Sequence, residues 1–135
     1  MYLVDTSVWV DFLRGRNTPQ VGVLEVLLAG EEVVGVTPTI IQELLQGTDS
    51  PDRFEELRGY LADLACYLPR DPVESHIRAA RLYQGCRRAG RTPRSSNDCL
   101  IAQAAIEHSL VLLHDDRDFD VIAGTSDSLS LYRVQ

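Results

Sequence analysis

Short apolar runs alternate along the chain with stretches of helical periodicity. The apolar runs predict five short strands, at Tyr2–Val4, Val33–Val36, Cys66–Leu68, Leu110–Leu113 and Leu129–Tyr132. The periodic stretches predict six helices, at Val8–Arg14, Val21–Ala29, Pro38–Gly47, Pro51–Leu64, Pro72–Arg88 and Asn97–His108. The acidic stretch Asp115–Asp120 lies between the last two strands, and no helix is predicted over it.

Strands of this length that alternate with helices are typical of β–α–β units, whose strands run parallel. We therefore expect an α/β fold with a short, mostly parallel central sheet. The chain has 135 residues, of which 44% are hydrophobic and 24% charged, as in ordinary globular proteins. No repeat, linker or low-complexity segment divides it, so residues 1–135 are expected to form a single domain.

Composition excludes several classes of protein. No apolar run approaches the ~20 residues of a membrane span, and the N-terminus lacks the basic region of a signal peptide, so we expect a cytoplasmic protein with no membrane partner. The three cysteines form no C-x-x-C pair, which argues against a zinc site or a disulfide framework. All 13 basic residues are arginine. Chemistry that needs a lysine is therefore excluded, including that of receiver domains.

Acidic residues directly follow the two most clearly predicted strands. Asp5 comes after the first strand, and Asp115 and Asp116 come after the fourth. Binding sites in open α/β sheets lie outside the carboxyl ends of the strands, so we expect these side chains to meet there. Helical periodicity adds Glu43 and Asp98, because it places each at the border between the apolar face of its helix and solvent.

Each acid taken alone has a simpler explanation as a turn former, a helix cap or part of a solvated surface. Several carboxylates converging on one pocket are harder to explain in this way, because they repel each other unless a cation lies among them. Oxygen ligands without histidine or cysteine favour a hard ion such as Mg²⁺, with Mn²⁺ as a possible substitute. One or two such ions could activate water for phosphodiester cleavage.

Four motifs follow one another along the chain: Asp5-Thr6-Ser7-Val8-Trp9, Glu43 in its helix, Asn97-Asp98-Cys99-Leu100-Ile101-Ala102, and Asp116-Arg117-Asp118-Phe119. From residue 2 to about residue 122, the chain resembles the PIN-domain nucleases. More narrowly, it resembles the VapC toxins of bacterial type II toxin–antitoxin modules. The resemblance implies a three-layer α/β/α PIN-like fold and Mg²⁺-dependent endoribonuclease activity.

The resemblance also implies roles for individual residues. The acidic quartet would be Asp5, Glu43, Asp98 and Asp116. Ser7 and Asn97 would assist by hydrogen bonding, and Asp118 would be an auxiliary acid. We expect Asp5 and Asp98 to hold the principal ion, with the other two acids completing the pocket directly or through water.

One departure from the family pattern concerns the fourth acid. His114-Asp115 stands where such toxins often carry a hydroxyl residue or an asparagine. The doubled Asp115-Asp116 leaves the fourth acid open between the two, and the spacing to Phe119 favours Asp116.

The arginines are unevenly distributed. The net charge is −7, yet residues 78–94 contain six arginines and no acid. This segment leads directly into the helix that bears Asp98. It therefore predicts phosphate-binding charge beside the metal site, carried by Arg87, Arg88, Arg91 and Arg94. The alternative is a solvated helix face with basic residues near its C-terminus.

The resemblance implies three partners. The first is an RNA substrate, with transfer RNA or another structured RNA as the leading candidate. The others are a cognate VapB-like antitoxin that blocks the acidic pocket with a basic side chain, and a second copy in a homodimer.

Two other classes of protein remain possible from the sequence. A catalytically inactive PIN-like module would bind nucleic acid or protein, although the intact quartet argues against it. A phosphatase of the haloacid dehalogenase type would need an aspartate where Ser7 stands, and a lysine.

Overall fold

The computed structural model describes residues 1–134. Its strands, β1 to β5, are Tyr2–Val4, Val34–Val36, Ala65–Cys66, Val111–Leu113 and Ser130–Leu131. Its helices, α1 to α7, are Thr6–Leu13, Pro19–Ala29, Pro38–Gln46, Pro51–Ala62, Pro72–Arg88, Ser96–Glu107 and Arg117–Thr125. None of the helices within residues 1–134 is both long and apolar enough to cross a membrane.

The five strands form one sheet in the order β3-β2-β1-β4-β5, and every pairing is parallel. Leu3 at the centre of β1 lies between Gly35 of β2 and Leu112 of β4. Strands β2 and β3 are added in turn on one side of β1, and the chain then crosses back so that β4 pairs with β1 on its other side. The strand order therefore reverses at β1, and ligands bind open α/β sheets at the carboxyl end of such a reversal.

Helices cover both faces of the sheet, as the predicted three-layer α/β/α fold requires. Connections between parallel strands are right-handed as a rule, so this strand order predicts α1–α4 on one face and α5–α7 on the other. Accordingly, α1 contacts α2 and α3, whereas α5 packs against α6 and α7. Trp9 from the first layer, Phe119 from the second and the sheet residues Leu3, Val4 and Leu112 are all fully buried in one hydrophobic core. The predicted α/β/α fold is confirmed.

All seven helices begin after a capping side chain: Asp5, Thr18, Thr37, Ser50, Asp71, Ser95 and Asp116. Each cap accepts a hydrogen bond from a backbone N–H of the first turn. The caps at Asp5 and Thr18 start α1 and α2 two residues before the predicted positions Val8 and Val21. The other predicted bounds differ from the observed ones by at most about two residues.

The structure corrects the prediction that no helix covers the acidic stretch. Helix α7 starts there, capped by Asp116, and runs to Thr125. Its acids occupy the first turn, where a helix favours negative charge, so they support the helix rather than a loop. The signal in the sequence is the spacing of Phe119 and Ile122, which are both buried on one face.

Candidate active site

Carboxylates from distant parts of the chain converge outside the carboxyl ends of β1 and β4. Asp98, Asp116 and Asp118 each offer a ligand oxygen, and these oxygens lie within 4.8 Å of one another. Asp5 and Glu43 lie close enough for their charges to act on Asp98 as well. The predicted quartet and the auxiliary acid therefore surround one site.

Asp98 lies at the centre of this arrangement. It is in the first turn of α6 and only 8% exposed. Burial and, after it, the negative charges of Asp5, Asp116, Asp118 and Glu43 raise the pKa of Asp98 to about 7. Near neutral pH, this carboxyl group is thus about half protonated unless a cation balances the surrounding charge.

Asp5 joins the end of β1 to the start of α1. Its Oδ2 accepts hydrogen bonds from the Ser7 backbone N–H at 3.0 Å and from the Ser7 hydroxyl at 2.6 Å. The Ser7 Oγ in turn accepts from the backbone N–H of Asp115 at 3.0 Å, which ties the ends of β1 and β4 together. Burial raises the pKa of Asp5 despite the Ser7 hydrogen bonds that lower it, and the charge of Glu43 raises it further.

Glu43 reaches the site from the second turn of α3, whose start is capped by Thr37 at the end of β2. Its Oε1 accepts a hydrogen bond of 2.8 Å from the Thr6 hydroxyl. Sequence reasoning assigned no role to Thr6, although Thr6 lies between two residues of the first motif. The contact orients Glu43 toward the start of α1.

Asp116 and Asp118 come from the start of α7. Asp116 Oδ1 accepts from the Asp118 backbone N–H at 2.9 Å, so Asp116 is both the helix cap and a member of the group of three. Asp118 is 4% exposed. Asp115 is exposed and lies outside this group, so the structure places Asp116 rather than Asp115 in the site. Asp118, predicted as an auxiliary acid, belongs to the group, whereas Asp5 does not.

The predicted RNA-binding arginines divide into two kinds. Arg87, Arg88 and Arg91 are exposed at the end of α5 and in the loop after it. Arg94 instead contacts the acids: its Nη2 lies 3.1 Å from Asp116 Oδ1 and its Nε 3.4 Å from Asp118 Oδ2. The hydrogen bond to Asp118 and, to a smaller extent, the one to Asp116 raise the pKa of the Arg94 guanidinium. Sequence reasoning missed these ion pairs.

Asn97 lies in the same turn of α6 as Asp98 and is half-buried. Its backbone N–H donates to the Ser95 cap at 3.2 Å. The assisting role of its side chain stays a prediction.

A groove of about 580 Å³ lies between α5 and α6, and its lining includes Arg94, the residue that contacts Asp116 and Asp118. Arg94 and Ser96 line one part of it, and Tyr83 lines another. The groove is therefore bordered by a cation and an aromatic ring, two groups that contact phosphates and bases in protein–RNA complexes.

The donor set fits a hard divalent cation. The three clustered ligand atoms are all carboxylate oxygens, as Mg²⁺ and Mn²⁺ prefer. Burial first, and then the charges of the neighbouring acids, raise the pKa of Asp98, and a divalent cation would neutralise the negative charge that these acids share. The arrangement can thus bind a metal ion at the reversal point of the sheet, next to a groove bordered by arginine.

Residues 2–125 match the family model described as PIN domain. VapBC2 from Rickettsia felis, solved bound to a DNA fragment from its promoter, aligns with a TM-score of 0.75 and 19% identity, over 97% of this chain and 96% of that one. VapBC-1 from nontypeable Haemophilus influenzae aligns with a TM-score of 0.74 and 18% identity, over 97% and 96%. Fold and family model together define the class of protein as a PIN domain.

Relatives with curated names show to which family of PIN-domain proteins the chain belongs. Ribonuclease VapC11 of Mycobacterium tuberculosis is 38% identical over 124 residues, which cover 91% of this chain and 92% of the relative. Ribonuclease VapC51 of the same species is 34% identical over 125 residues, which cover 93% and 87%. The chain belongs to the VapC ribonuclease family of PIN-domain proteins.

Proposed function

We propose that the chain is a metal-dependent endoribonuclease and the toxin of a type II toxin–antitoxin module. One observation carries the proposal: Asp98 is buried among four further carboxylates, and a divalent cation would neutralise their concentrated negative charge. Membership of the VapC family supports ribonuclease chemistry for this site.

Asp98, Asp116 and Asp118 are the residues that would hold Mg²⁺ or Mn²⁺, since their oxygens already lie within 4.8 Å of one another. When bound, the ion supplies a water of lowered pKa as nucleophile and neutralises charge on the phosphate. Asp5 and Glu43 complete the acidic wall of the pocket, from which they contact the ion through water or accept a proton from the attacking water.

Neighbouring side chains hold the two outer acids in position. Both hydrogen bonds from Ser7 to Asp5 go to Oδ2 and fix the orientation of this carboxylate. Thr6 engages Oε1 of Glu43 and leaves Oε2 available. Attack of water on the phosphorus in line with the leaving oxygen would leave a 3′-hydroxyl and a 5′-phosphate.

The substrate is RNA, with transfer RNA or another structured RNA as the leading candidate. Arg87, Arg88 and Arg91 lie exposed along the approach to α6 and would pair with backbone phosphates. The groove between α5 and α6 offers Tyr83 to an unstacked base beside the acids. A strand held in this way would bring one phosphodiester to the carboxylate cluster.

The second partner is a VapB-like antitoxin. An acidic pocket attracts a basic side chain, and an arginine or lysine inserted by the antitoxin would occupy the place of the metal ion. Solved relatives include one named toxin-antitoxin complex from Klebsiella pneumoniae, with a TM-score of 0.66 and 17% identity over 96% of this chain. A homodimer stays an expectation from the family resemblance.

Cleavage of RNA by the purified chain tests the proposal. Total bacterial RNA would be incubated with Mg²⁺, with Mn²⁺ or with EDTA, and the cut ends mapped by sequencing. We expect discrete cuts with either metal, none with EDTA, and a loss of at least about 100-fold in rate for Asp98→Ala. Asp49→Ala is the matched control, because Asp49 is exposed in the turn before α4.

Cleavage that persists in EDTA or in Asp98→Ala would contradict the proposed chemistry. If the folded chain binds RNA but cuts none of it with either metal present, the inactive PIN-like binding module becomes the better description.

A further inference from the structure

Arg94 lies across two of the three clustered acids. Its guanidinium contacts Oδ1 of Asp116 through Nη2 and Oδ2 of Asp118 through Nε. Its backbone N–H also donates to Oδ2 of Asp118, at 3.0 Å. A cation supplied by the chain itself therefore engages one oxygen on each of two carboxylates that a metal ion would use.

The backbone and the side chain of Arg94 differ in their freedom. The hydrogen bond to Asp118 anchors the backbone, and the preceding residue, Pro93, is buried. The side chain, in contrast, is 68% exposed. Because the guanidinium lies in solvent while the backbone N–H remains bonded to Asp118, the side chain can leave the acids while the loop keeps its position.

We propose that Arg94 is an internal counter-ion of the metal site, which pairs with Asp116 and Asp118 when no metal ion is bound and is displaced when a divalent cation binds. The proposal rests on the proposed metal-dependent function. Two physical reasons support it: a guanidinium and a divalent cation beside the same acids repel each other, and both bind the carboxylates of Asp116 and Asp118.

Displacement would also connect the two roles of this residue. Paired with the acids, the guanidinium is not available to RNA. Released by the metal ion, it stays tethered beside the site and next to the groove that it already lines, where it can pair with a substrate phosphate. Arg94 would thereby raise the metal concentration needed to fill the site and delay phosphate binding until the ion is present.

The test measures the affinity of Mn²⁺ for the metal-free chain by isothermal titration calorimetry. Arg94→Gln removes the competing charge and is expected to tighten Mn²⁺ binding by about three- to tenfold. Arg94→Lys keeps the charge and should stay within about twofold of the unmodified chain. Arg91→Gln removes the same charge from an exposed position in the same loop and should also stay within about twofold.

Unfolding curves in EDTA first establish that each variant is folded. If Arg94→Gln binds Mn²⁺ no more tightly than the unmodified chain, the counter-ion role is wrong. It is equally wrong if Arg91→Gln tightens binding as much, since the effect would then be general charge. These outcomes leave the metal-dependent function standing. If neither the unmodified chain nor Arg94→Gln binds Mn²⁺, the function and the counter-ion role both fail.

Discussion

The negative charges of the site act most strongly on one buried carboxylate, Asp98. It is buried in the first turn of a helix, which favours its ionised form, yet burial and four surrounding acids oppose ionisation more strongly. Such a residue is costly to keep charged in the absence of a cation. The cost is consistent with a site built to bind a metal ion rather than to stabilise the fold.

Asp98 makes the stability of the metal-free chain depend on pH. Its pKa is about 7 in the folded chain and 3.8 in the unfolded one, so the folded state holds a proton that the unfolded state releases. Stability should therefore fall as pH rises from about 4 to about 7, by on the order of 2–4 kcal/mol. In Asp98→Asn this decline should be smaller, with the raised pKa of Asp5 as a remaining source, and the variant should be the more stable protein at pH 8.

Urea unfolding in EDTA at a series of pH values measures this effect. Equal slopes against pH for the unmodified chain and for Asp98→Asn would show that the surrounding charges do not act on Asp98 as described.

Individual site residues were predictable from the sequence to different extents. Asp5 and Asp116 follow strands whose apolar runs are clear, so their position at the edge of the sheet followed from general rules. The ion pairs of Arg94 were not predictable, because they join residues 22 and 24 positions apart in sequence and depend on the path of the loop after α5. The contact between Thr6 and Glu43, 37 positions apart, is of the same kind.

At the scale of elements, the sheet leaves little room between β2 and the residue that follows β3. A Cβ atom at Gly35 would overlap the ring of Tyr67 and lie 2.9 Å from the carbonyl oxygen of Ala65. Glycine is therefore required here by space and not by backbone conformation. The packed ring holds the edge of the sheet against β2, whose carboxyl end starts the helix that carries Glu43.

Gly35→Ala should destabilise the chain by about 1–3 kcal/mol, because the ring and a backbone carbonyl would both have to move. The matched control is Gly22→Ala in α2, where nothing lies within 4 Å of the added methyl group. That variant should gain about 0.5–1 kcal/mol from its helix propensity. Urea unfolding of both variants measures the difference. A Gly35→Ala variant as stable as the unmodified chain would contradict the close packing.

Most elements were predictable from apolar periodicity and capping residues, whereas α7 was not. Its first turn is acidic, and acids in such density are equally typical of a solvated loop, so local preference alone did not decide between the two. Tertiary packing decides in favour of a helix, because Phe119 and Ile122 are fully buried. The helix in turn places Asp116 and Asp118 at its start, so the missed element is one that builds the site.

At the scale of the whole molecule, the strand order explains why these acids meet. The sequence places Asp5 and Asp116 at opposite ends of the chain, but β1 and β4 are adjacent and parallel, with Val4 opposite Leu113. The reversal at β1 opens a crevice at their carboxyl ends, and α3 and α6 bring Glu43 and Asp98 to it. The order of the strands was not predicted, since short apolar runs do not specify which strands pair.

The central claim is that this crevice binds a divalent metal ion through the acids of α6 and α7. Its most direct test is a crystal of the chain grown with saturating Mn²⁺, in which anomalous scattering locates the ion. We expect a peak about 2.0–2.3 Å from carboxylate oxygens of Asp98 and of Asp116 or Asp118. A peak coordinated elsewhere, or no peak among these acids at saturating Mn²⁺, would contradict the account.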